Sequence, residues 1–386
     1  MSEISAFISC PAPKVSFLKI TTGALFPQDG RSANPLFLYL VTPARPAHDG
    51  AGRPLGPVAP GSTGRYGAAM LLIGIDEAGY GPTLGPLCHG LAAFRVPDVD
   101  EPPDLWEALQ PVATRAGVKS AALWVDDSKR VYAGSGGMDR LRRTAEAFAS
   151  SVSDDPTADA VLPDVLLAAE DVKGLEYDPW GRAAGDAAAR SKPDPAIRCA
   201  LRAKLDERGI EPVVFRAGAL DARRYNRRLL ALENKADVAW ERVGALLVRA
   251  LQAAHPGETV RAVVDRQGGR KFYAGRLSVL FGVALPDVLA ETAERSAYRV
   301  QAEGRPIFVE FVEQAERKAF AVALASMAAK LVRELLMERF NAFFRSHDPT
   351  LAPTAGYPSD AARFLKDTEE LRRRLNIEDE ALIRRK

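Results

Sequence analysis

Strand-like and helix-like patterns of apolar residues alternate along the chain from Met70 onward. Two short apolar runs, Leu71 to Ile75 and Leu87 to Phe94, are separated by a glycine-rich turn, which predicts a β-hairpin. Further strands are predicted at 212–216, 261–264, 298–301 and 307–311, the last two forming a second hairpin. These runs together predict a β-sheet.

Helical spacing of apolar residues occurs in three segments, 138–150, 221–254 and 321–344. The third contains no Gly or Pro, and small residues in its first half allow close packing. Segments 151–163 and 179–195 are predicted to be loops because Pro, Gly, Ser and Asp interrupt them. The mixed order of elements predicts an α/β fold, or an α+β fold, with a central mixed β-sheet flanked by helices.

The first 69 residues differ from the rest, because nine prolines with glycines between them interrupt every period. We expect residues 1–69 to be a disordered extension, or an artefact of start-codon choice. The folded domain is then expected to span residues 70–386.

Composition limits the kinds of function the chain can have. Lys and Arg total 52 against 50 Asp and Glu, so the formal charge is only +2 and any contact with nucleic acid must come from local patches. Cys10, Cys88 and Cys199 form no paired pattern, which argues against disulfides and thiolate metal sites. A reducing, cytoplasmic location follows, and the lack of a long apolar run predicts a soluble protein without membrane contact.

Several catalytic chemistries are absent from the sequence. The four histidines stand far apart, with no spacing typical of a zinc hydrolase, and there is no G-x-S-x-G motif. Carboxylates are therefore the candidate chemical groups. The most informative stretch is 75–82, in which Asp76 and Glu77 end an apolar strand just before glycines that allow the backbone to turn. Such a pair can hold a hard divalent cation, whereas the alternative is a solvated strand end.

The stretch IDEAGYGPTLGPL, residues 75–87, resembles the opening motif of the type 2 ribonucleases H. Four later segments resemble motifs of that family in the expected order: Val125-Asp126-Asp127-Ser128-Lys129, Val263-Val264-Asp265, Ala325-Ser326-Met327-Ala328-Ala329-Lys330, and Gly356-Tyr357-Pro358-Ser359-Asp360. The resemblance implies a ribonuclease H-like fold and covers most of residues 70–370. Longer spacing between motifs implies insertions near 151–208 and 273–305, with a helical part at the C-terminus.

The fourth carboxylate of the family precedes its A-S-I helix by a fixed spacing, which falls on Glu316. A Glu at this place resembles the type 3 ribonucleases H. Glu334 is the competing candidate, but it sits within a predicted helix, where an ion pair with a neighbour is expected. We therefore favour Glu316 over Glu334.

The resemblance implies a metal-dependent nuclease with Asp76, Glu77, Asp265 and Glu316 as catalytic residues and metal ligands. Two Mg²⁺ or Mn²⁺ ions, about 3.5 to 4 Å apart, would be held by these carboxylates. By analogy with the family, Asp76 would contact both ions, Glu77 and Glu316 one each, and Asp265 one or both. Products would carry a 5′-phosphate and a 3′-hydroxyl.

Substrate contacts are also implied by the resemblance. The turn Gly79-Tyr80-Gly81 and the later Tyr357 correspond to the groups that sense the ribose, and Ser128 and Lys129 are candidate phosphate contacts. This chain departs from the family at Tyr80, where an Arg is usual. Tyr80 could stack on a sugar or a base, or pack as an ordinary aromatic residue beside the turn.

Three clusters of basic residues are candidates for a groove that binds nucleic acid: Arg140, Arg142 and Arg143; Arg223, Arg224, Arg227 and Arg228; and Arg266, Arg270 and Lys271. The implied activity is hydrolysis of the RNA strand in RNA–DNA hybrids, or at ribonucleotides embedded in duplex DNA, by a monomer. Two alternatives stay open, namely a nuclease of the same fold acting on structured DNA and a binding module without turnover.

Overall fold

The computed structural model describes residues 69–99, 101–118, 122–152, 166–182 and 194–385. The extension predicted for residues 1–69 lies outside these ranges, except for Ala69, at which the first strand already begins. The loop predicted at 151–163 also lies outside them, apart from its first two residues, which end a helix.

Nine strands are present in the described residues: β1 (Ala69–Ala78), β2 (Leu87–Pro97), β3 (Ala113–Thr114), β4 (Leu123–Trp124), β5 (Glu211–Leu220), β6 (Thr259–Asp265), β7 (Asp287–Glu291), β8 (Arg295–Ala302) and β9 (Arg305–Val312). All of the strands predicted from the sequence are among them, with longer bounds.

The helices of the same residues are α1 (Leu105–Ala108), α2 (Ser128–Tyr132), α3 (Gly137–Val152), α4 (Ala169–Leu175), α5 (Pro179–Arg182), α6 (Pro195–Glu207), α7 (Ala222–Leu232), α8 (Lys235–Leu251), α9 (Ala274–Phe281), α10 (Phe320–His347), α11 (Pro358–Asp367), α12 (Glu369–Arg374) and α13 (Asp379–Leu382), with a 3₁₀ turn at Ala315–Arg317. None of these helices combines the length and the apolar character that crossing a membrane requires.

Seven strands form one mixed sheet in the order β5-β2-β1-β6-β9-β8-β7. The central pairs β1–β6 and β6–β9 are parallel, whereas the hairpins β1–β2 and β8–β9 and the outer pairs are antiparallel. Strands β3 and β4 form a separate short parallel pair. The predicted α/β fold with a central mixed sheet flanked by helices is therefore confirmed.

Helix α10 packs directly on one face of the sheet because two glycines remove the side chains beneath it. A Cβ on Gly74 would lie 2.1 Å from the Ala321 carbonyl carbon, and one on Gly90 would lie 1.8 Å from the Ala325 oxygen. Larger residues at these places would push the helix away. The opposite face of the sheet is covered by α8 and α9. The close contact fixes the distance from α10 to the ends of β1 and β6.

Two of the predicted elements are wrong in detail. The single helix expected over 221–254 is two helices, because Glu233 adopts a left-handed φ of 55° and Asn234 caps α8 through a hydrogen bond from the Ala236 amide. The loop expected over 179–195 begins with the short helix α5, and its last residue is already the first residue of α6.

Candidate metal centre

Two parallel neighbouring strands bring carboxylates to one edge of the sheet. Ile75 of β1 pairs with Val264 of β6, so Asp76 and Asp265 follow as the next residues on adjacent strands. One carboxylate oxygen from each of Asp76, Glu77 and Asp265 lies within 4.8 Å of the others. Asp76 is 7% exposed, whereas the other two are half-buried. Residues 189 positions apart in the chain thus form one acidic cluster.

Glu316 lies beside this cluster rather than within the set of three. It belongs to the 3₁₀ turn after β9, and the Ala315 amide of that turn donates a hydrogen bond of 2.9 Å to Asp265 Oδ1. The competing residue, Glu334, lies on α10 and pairs with Lys330 at 2.6 Å, as the sequence predicted. Glu316 therefore lies next to the acidic cluster, while Glu334 is engaged on its own helix.

The pKa values of these carboxyl groups are raised, first by burial and then by their mutual repulsion. The pKa of Asp76 lies well above its usual range, that of Glu77 rises to about 8, and that of Asp265 rises to about 6. The pKa of Glu316 is raised mainly by burial and next by the charge of Asp127. The exposed Lys129 acts in the opposite direction on Glu77, Asp265 and Glu316 but does not offset the repulsion.

The donor atoms of the cluster fit a hard divalent cation. Among the described residues, none of Asp76, Glu77 and Asp265 forms an ion pair with a basic side chain. Uncompensated buried carboxylates are costly, and a bound cation is a common way to neutralise them. An all-oxygen set of this kind suits Mg²⁺ or Mn²⁺. The cluster can therefore hold a metal ion, with Glu316 as a further ligand at its side.

The glycine turn that follows β1 lies beside the acidic cluster. Gly79 has a φ of 87°, which a residue with a side chain rarely adopts, and Gly81 is exposed with open space around it. Tyr80 packs against the apolar cluster that contains Leu87 and Tyr225. The ammonium of Lys235 lies 4.2 Å from the centre of the Tyr80 ring, so one ring face is already covered.

The remaining candidate substrate contacts lie in different environments. Ser128 is buried, and its hydroxyl accepts a hydrogen bond of 3.1 Å from Ser326, so it faces the α10 side rather than solvent. Lys129 is exposed near the acidic cluster. Tyr357 is 51% exposed, and its ring lies 5.9 Å from the Arg333 guanidinium. Lys129 and Tyr357 are thus the two of these side chains that solvent reaches.

The basic clusters are largely engaged within the protein. Arg140 donates to the Val131 carbonyl of α2 and to the Ser135 carbonyl of the loop that follows, and Arg223 pairs with Asp178 and Glu378. The other intramolecular partners are Asp221 and Asp171 for Arg224, Glu241 for Arg228, and Asp237 for Arg270. These arginines stabilise the fold and are poor candidates for a groove that contacts phosphates.

Three residues at the site, Asp127, Lys235 and Arg384, were not among the candidate site residues from the sequence, although Asp127 lies within the motif of residues 125–129. Asp127 caps α2 by accepting from the Lys129 amide, and it raises the pKa of Glu316. Lys235 contacts Tyr80 from the first turn of α8, and Arg384 reaches the glycine turn from the end of the chain. Asp127 could have been predicted as a helix cap, because an Asp directly before a helix start is typical of one. No local pattern marks Lys235 or Arg384.

Of the known proteins compared with this chain, solved structures match it, whereas family models and curated proteins do not. No protein-family model matches the chain, and no curated protein matches it. The solved structures similar to it include a chain of the PCNA:RNase HII complex from Archaeoglobus fulgidus, at 16% identity over 82% of this chain and 94% of that chain, with a TM-score of 0.36. The ribonuclease H2 of Pyrococcus horikoshii OT3 is 17% identical over 81% of this chain and 92% of that chain, with a TM-score of 0.35. Bst-RNase HIII in complex with Mn²⁺ is 17% identical over 82% of this chain and 66% of that chain, with a TM-score of 0.34.

Proposed function

We propose that the protein is a metal-dependent endonuclease that hydrolyses the RNA strand of RNA–DNA hybrids, or ribonucleotides embedded in duplex DNA. The observation that carries the proposal is the acidic cluster of Asp76, Glu77 and Asp265, which lies at the carboxyl ends of β1 and β6 without a basic partner in the described residues. The resemblance of residues 75–87 and of four later motifs to ribonucleases H of types 2 and 3 supports the same activity. The Mn²⁺ complex of Bst-RNase HIII is in keeping with a metal.

The chain's own residues account for metal binding and for placing the substrate. Asp76, Glu77 and Asp265 would hold Mg²⁺ or Mn²⁺, with Glu316 at the side. The bound metal would polarise the phosphate and lower the pKa of an attacking water. Lys129, exposed beside the cluster, is placed to attract a backbone phosphate towards it. The burial of Asp76 keeps bulk water away from one side of the site.

Recognition of the ribose is assigned to the glycine turn. The amides of Tyr80 and Gly81 donate to no acceptor among the described residues, and Gly81 faces open space. An unpartnered amide at an exposed turn can donate to a sugar hydroxyl, which is the group that separates RNA from DNA at one nucleotide. The missing arginine at position 80 does not affect a contact made through the backbone.

A cleavage assay tests the proposal. The purified protein is incubated with Mg²⁺ or Mn²⁺ and with three labelled substrates: a full hybrid, a duplex DNA with one ribonucleotide, and the same duplex in DNA alone. We expect the first two to be cut with 3′-hydroxyl products, and the third to remain intact. Cleavage of structured DNA alone would favour the alternative nuclease, and binding without cleavage in excess Mn²⁺ would favour the binding module.

A further inference from the structure

Residues 383–385 lie at the base of the glycine turn. Leu84 forms an antiparallel bridge with Ile383, and the Arg384 amide donates a hydrogen bond of 2.9 Å to the Thr83 carbonyl. Asn226 of α7 holds this segment from behind, since its side chain donates to the Ile383 carbonyl at 2.7 Å and accepts from the Arg385 amide at 2.8 Å. The C-terminal segment 383–385 is thus fixed against residues 79–84.

Arg384 extends from this segment beneath the turn. Its guanidinium donates to the Gly79 carbonyl at 2.6 Å and also to the Pro82 carbonyl. The side chain is only 4% exposed and lies over the buried ring of Tyr225, with 5.2 Å between the guanidinium carbon and the ring centre. One charged group therefore ties together both ends of the segment 79–82 from inside the protein.

A second arginine lies against the same turn. Arg333 of α10 is 2% exposed and donates to the Ala355 carbonyl at 2.9 Å. A Cβ on Gly79 would lie 2.6 Å from its Nε, so the guanidinium packs directly against this glycine. Two arginines whose charges repel each other thus lie beside one loop, and the hydrogen bonds of Arg384 to the loop carbonyls offset part of that cost.

The bond from Arg384 to Gly79 also fixes where the next amide points. The peptide between Gly79 and Tyr80 is trans, so its N–H points opposite to its carbonyl. Because the Gly79 carbonyl faces inward to Arg384, the Tyr80 N–H faces away from the guanidinium. This amide is one of the two assigned to the ribose.

We propose that Arg384 is a positioning residue of the candidate site, which holds the glycine turn from below so that its amides face the ribose. The expected effect of Arg384 on catalysis rests on the proposed function, whereas its hold on the turn does not. The related motif carries an arginine within the turn itself, whereas in this chain an arginine reaches the turn from the C-terminal segment 383–385. Arg384 does not contact the substrate and acts only through the turn.

Substitution of Arg384→Met tests the proposal, because methionine keeps an unbranched apolar stem at this buried position but removes the guanidinium and with it both hydrogen bonds. We expect KM for the single-ribonucleotide duplex to rise about tenfold or more, with kcat changed by less than about threefold. Arg384→Lys should fall between wild type and Arg384→Met, because both bonds come from one nitrogen, Nη2, which an ammonium can replace as a donor, while the shorter lysine side chain does not bring its nitrogen to the same point. A loss of folded protein would instead lower kcat without raising KM.

Amide hydrogen exchange gives a readout that does not need activity. The Thr83 and Leu84 amides donate to the Gly356 carbonyl at 2.8 and 3.1 Å, and we expect them to exchange about tenfold faster in Arg384→Met. Arg385→Met is the matched control, because its exposed side chain pairs with Glu380 and with no other carboxylate among the described residues. Unchanged exchange together with an unchanged KM would overturn the role of Arg384. An inactive wild-type protein would overturn the proposed function, while the exchange result would still decide whether Arg384 holds the turn.

Discussion

Carboxylates lie at the central sheet in two places, the single buried Asp171 and the acidic cluster, and their charges are compensated in opposite ways. Asp171 of α4 is 2% exposed and accepts from Arg224 at 3.1 Å, from Arg242 at 2.7 Å and from the Ala219 amide at 3.0 Å. No arginine or lysine of the described residues pairs with the acidic cluster of Asp76, Glu77 and Asp265, although Asp76 and Asp265 accept from the Glu77 and Ala315 amides, and the pKa values of the cluster are raised.

The difference separates structural charges from candidate functional ones. A buried carboxylate that stabilises a fold is surrounded by donors from the same protein, as Asp171 is. Three carboxylates that share one hollow destabilise the folded state unless something from outside neutralises them. Burial alone therefore does not identify the site, whereas burial without compensation does.

The largest expected effect comes from replacing the most buried member of the acidic cluster. Under the proposed function, Asp76→Asn should lower the cleavage rate by about 10³-fold or more, because a metal held by Asp76 would supply several kilocalories per mole of transition-state stabilisation. Its melting temperature without metal should not fall, since a repulsive charge is removed. Single-turnover cleavage measures the rate, and thermal denaturation in EDTA measures the melting temperature without metal. A melting temperature well below that of wild type would show that Asp76 is a structural charge like Asp171.

The reverse behaviour is expected at Asp171. Asp171→Ala leaves Arg224 and Arg242 without a shared carboxylate and should lower the free energy of unfolding by about 3 kcal/mol. Cleavage measured well below the melting temperature should change by less than about threefold, because Asp171 lies outside the acidic cluster. Urea denaturation and the same cleavage assay check both expectations. A large loss of activity in a folded variant would remove the distinction between the two groups.

The acidic cluster should also make the metal-free protein less stable as the pH rises. Below about pH 4.5, Glu77 is protonated in both states, whereas between about pH 4.5 and pH 8 only the folded state keeps the proton. The unfolded state then binds fewer protons, so the free energy of unfolding falls as the pH rises through this window. We expect a decrease of about 2 kcal/mol or more from this cause.

Glu77→Gln isolates this contribution. Comparing its thermal denaturation in EDTA with that of wild type from pH 5 to pH 9 removes the effects of the groups outside the acidic cluster and leaves those of Glu77 and of its coupling to Asp76. The difference in stability should favour the variant increasingly up to about pH 8, and saturating Mn²⁺ should reverse the order because only wild type binds the metal fully. Parallel pH curves for the two proteins would contradict the raised pKa of Glu77.

The sequence predicts most of the acidic cluster, but it does not predict Asp171 with its arginine partners. The hairpin of β1 and β2 and the strand β6 follow from short apolar runs, and Asp76 and Asp265 stand at their ends. Asp171 lies in a segment with no distinctive pattern, and its partners come from α7 and α8 far along the chain. Local patterns predict the ends of strands, but they do not predict which distant arginines reach a given carboxylate.

Two further features could not be predicted for the same reason, namely the break between α7 and α8 and the contact of Arg384 with the glycine turn. The break between α7 and α8 depends on a left-handed Glu233, which no hydrophobic period reveals, although Asn234 is a typical cap. Arg384 lies 305 residues from the carbonyl of Gly79, to which it donates. Such a contact is set by tertiary packing at the C-terminus and has no counterpart in the spacing of residues near the motif.

The smallest expected effect distinguishes the two candidates for a fourth carboxylate. Glu316 lies beside Asp265 through the Ala315 hydrogen bond, and its side chain is 15% exposed, so Glu316→Gln should slow cleavage by about tenfold through weaker metal binding. Glu334→Gln is the matched control, because Glu334 pairs with Lys330 and accepts from Tyr132 on α2 rather than facing the cluster. Cleavage rates across a Mn²⁺ titration should show a higher metal requirement for Glu316→Gln alone. If Glu334→Gln shows the higher requirement instead, the fourth ligand lies on α10, and the compensation of the acidic cluster extends along that helix rather than along the 3₁₀ turn.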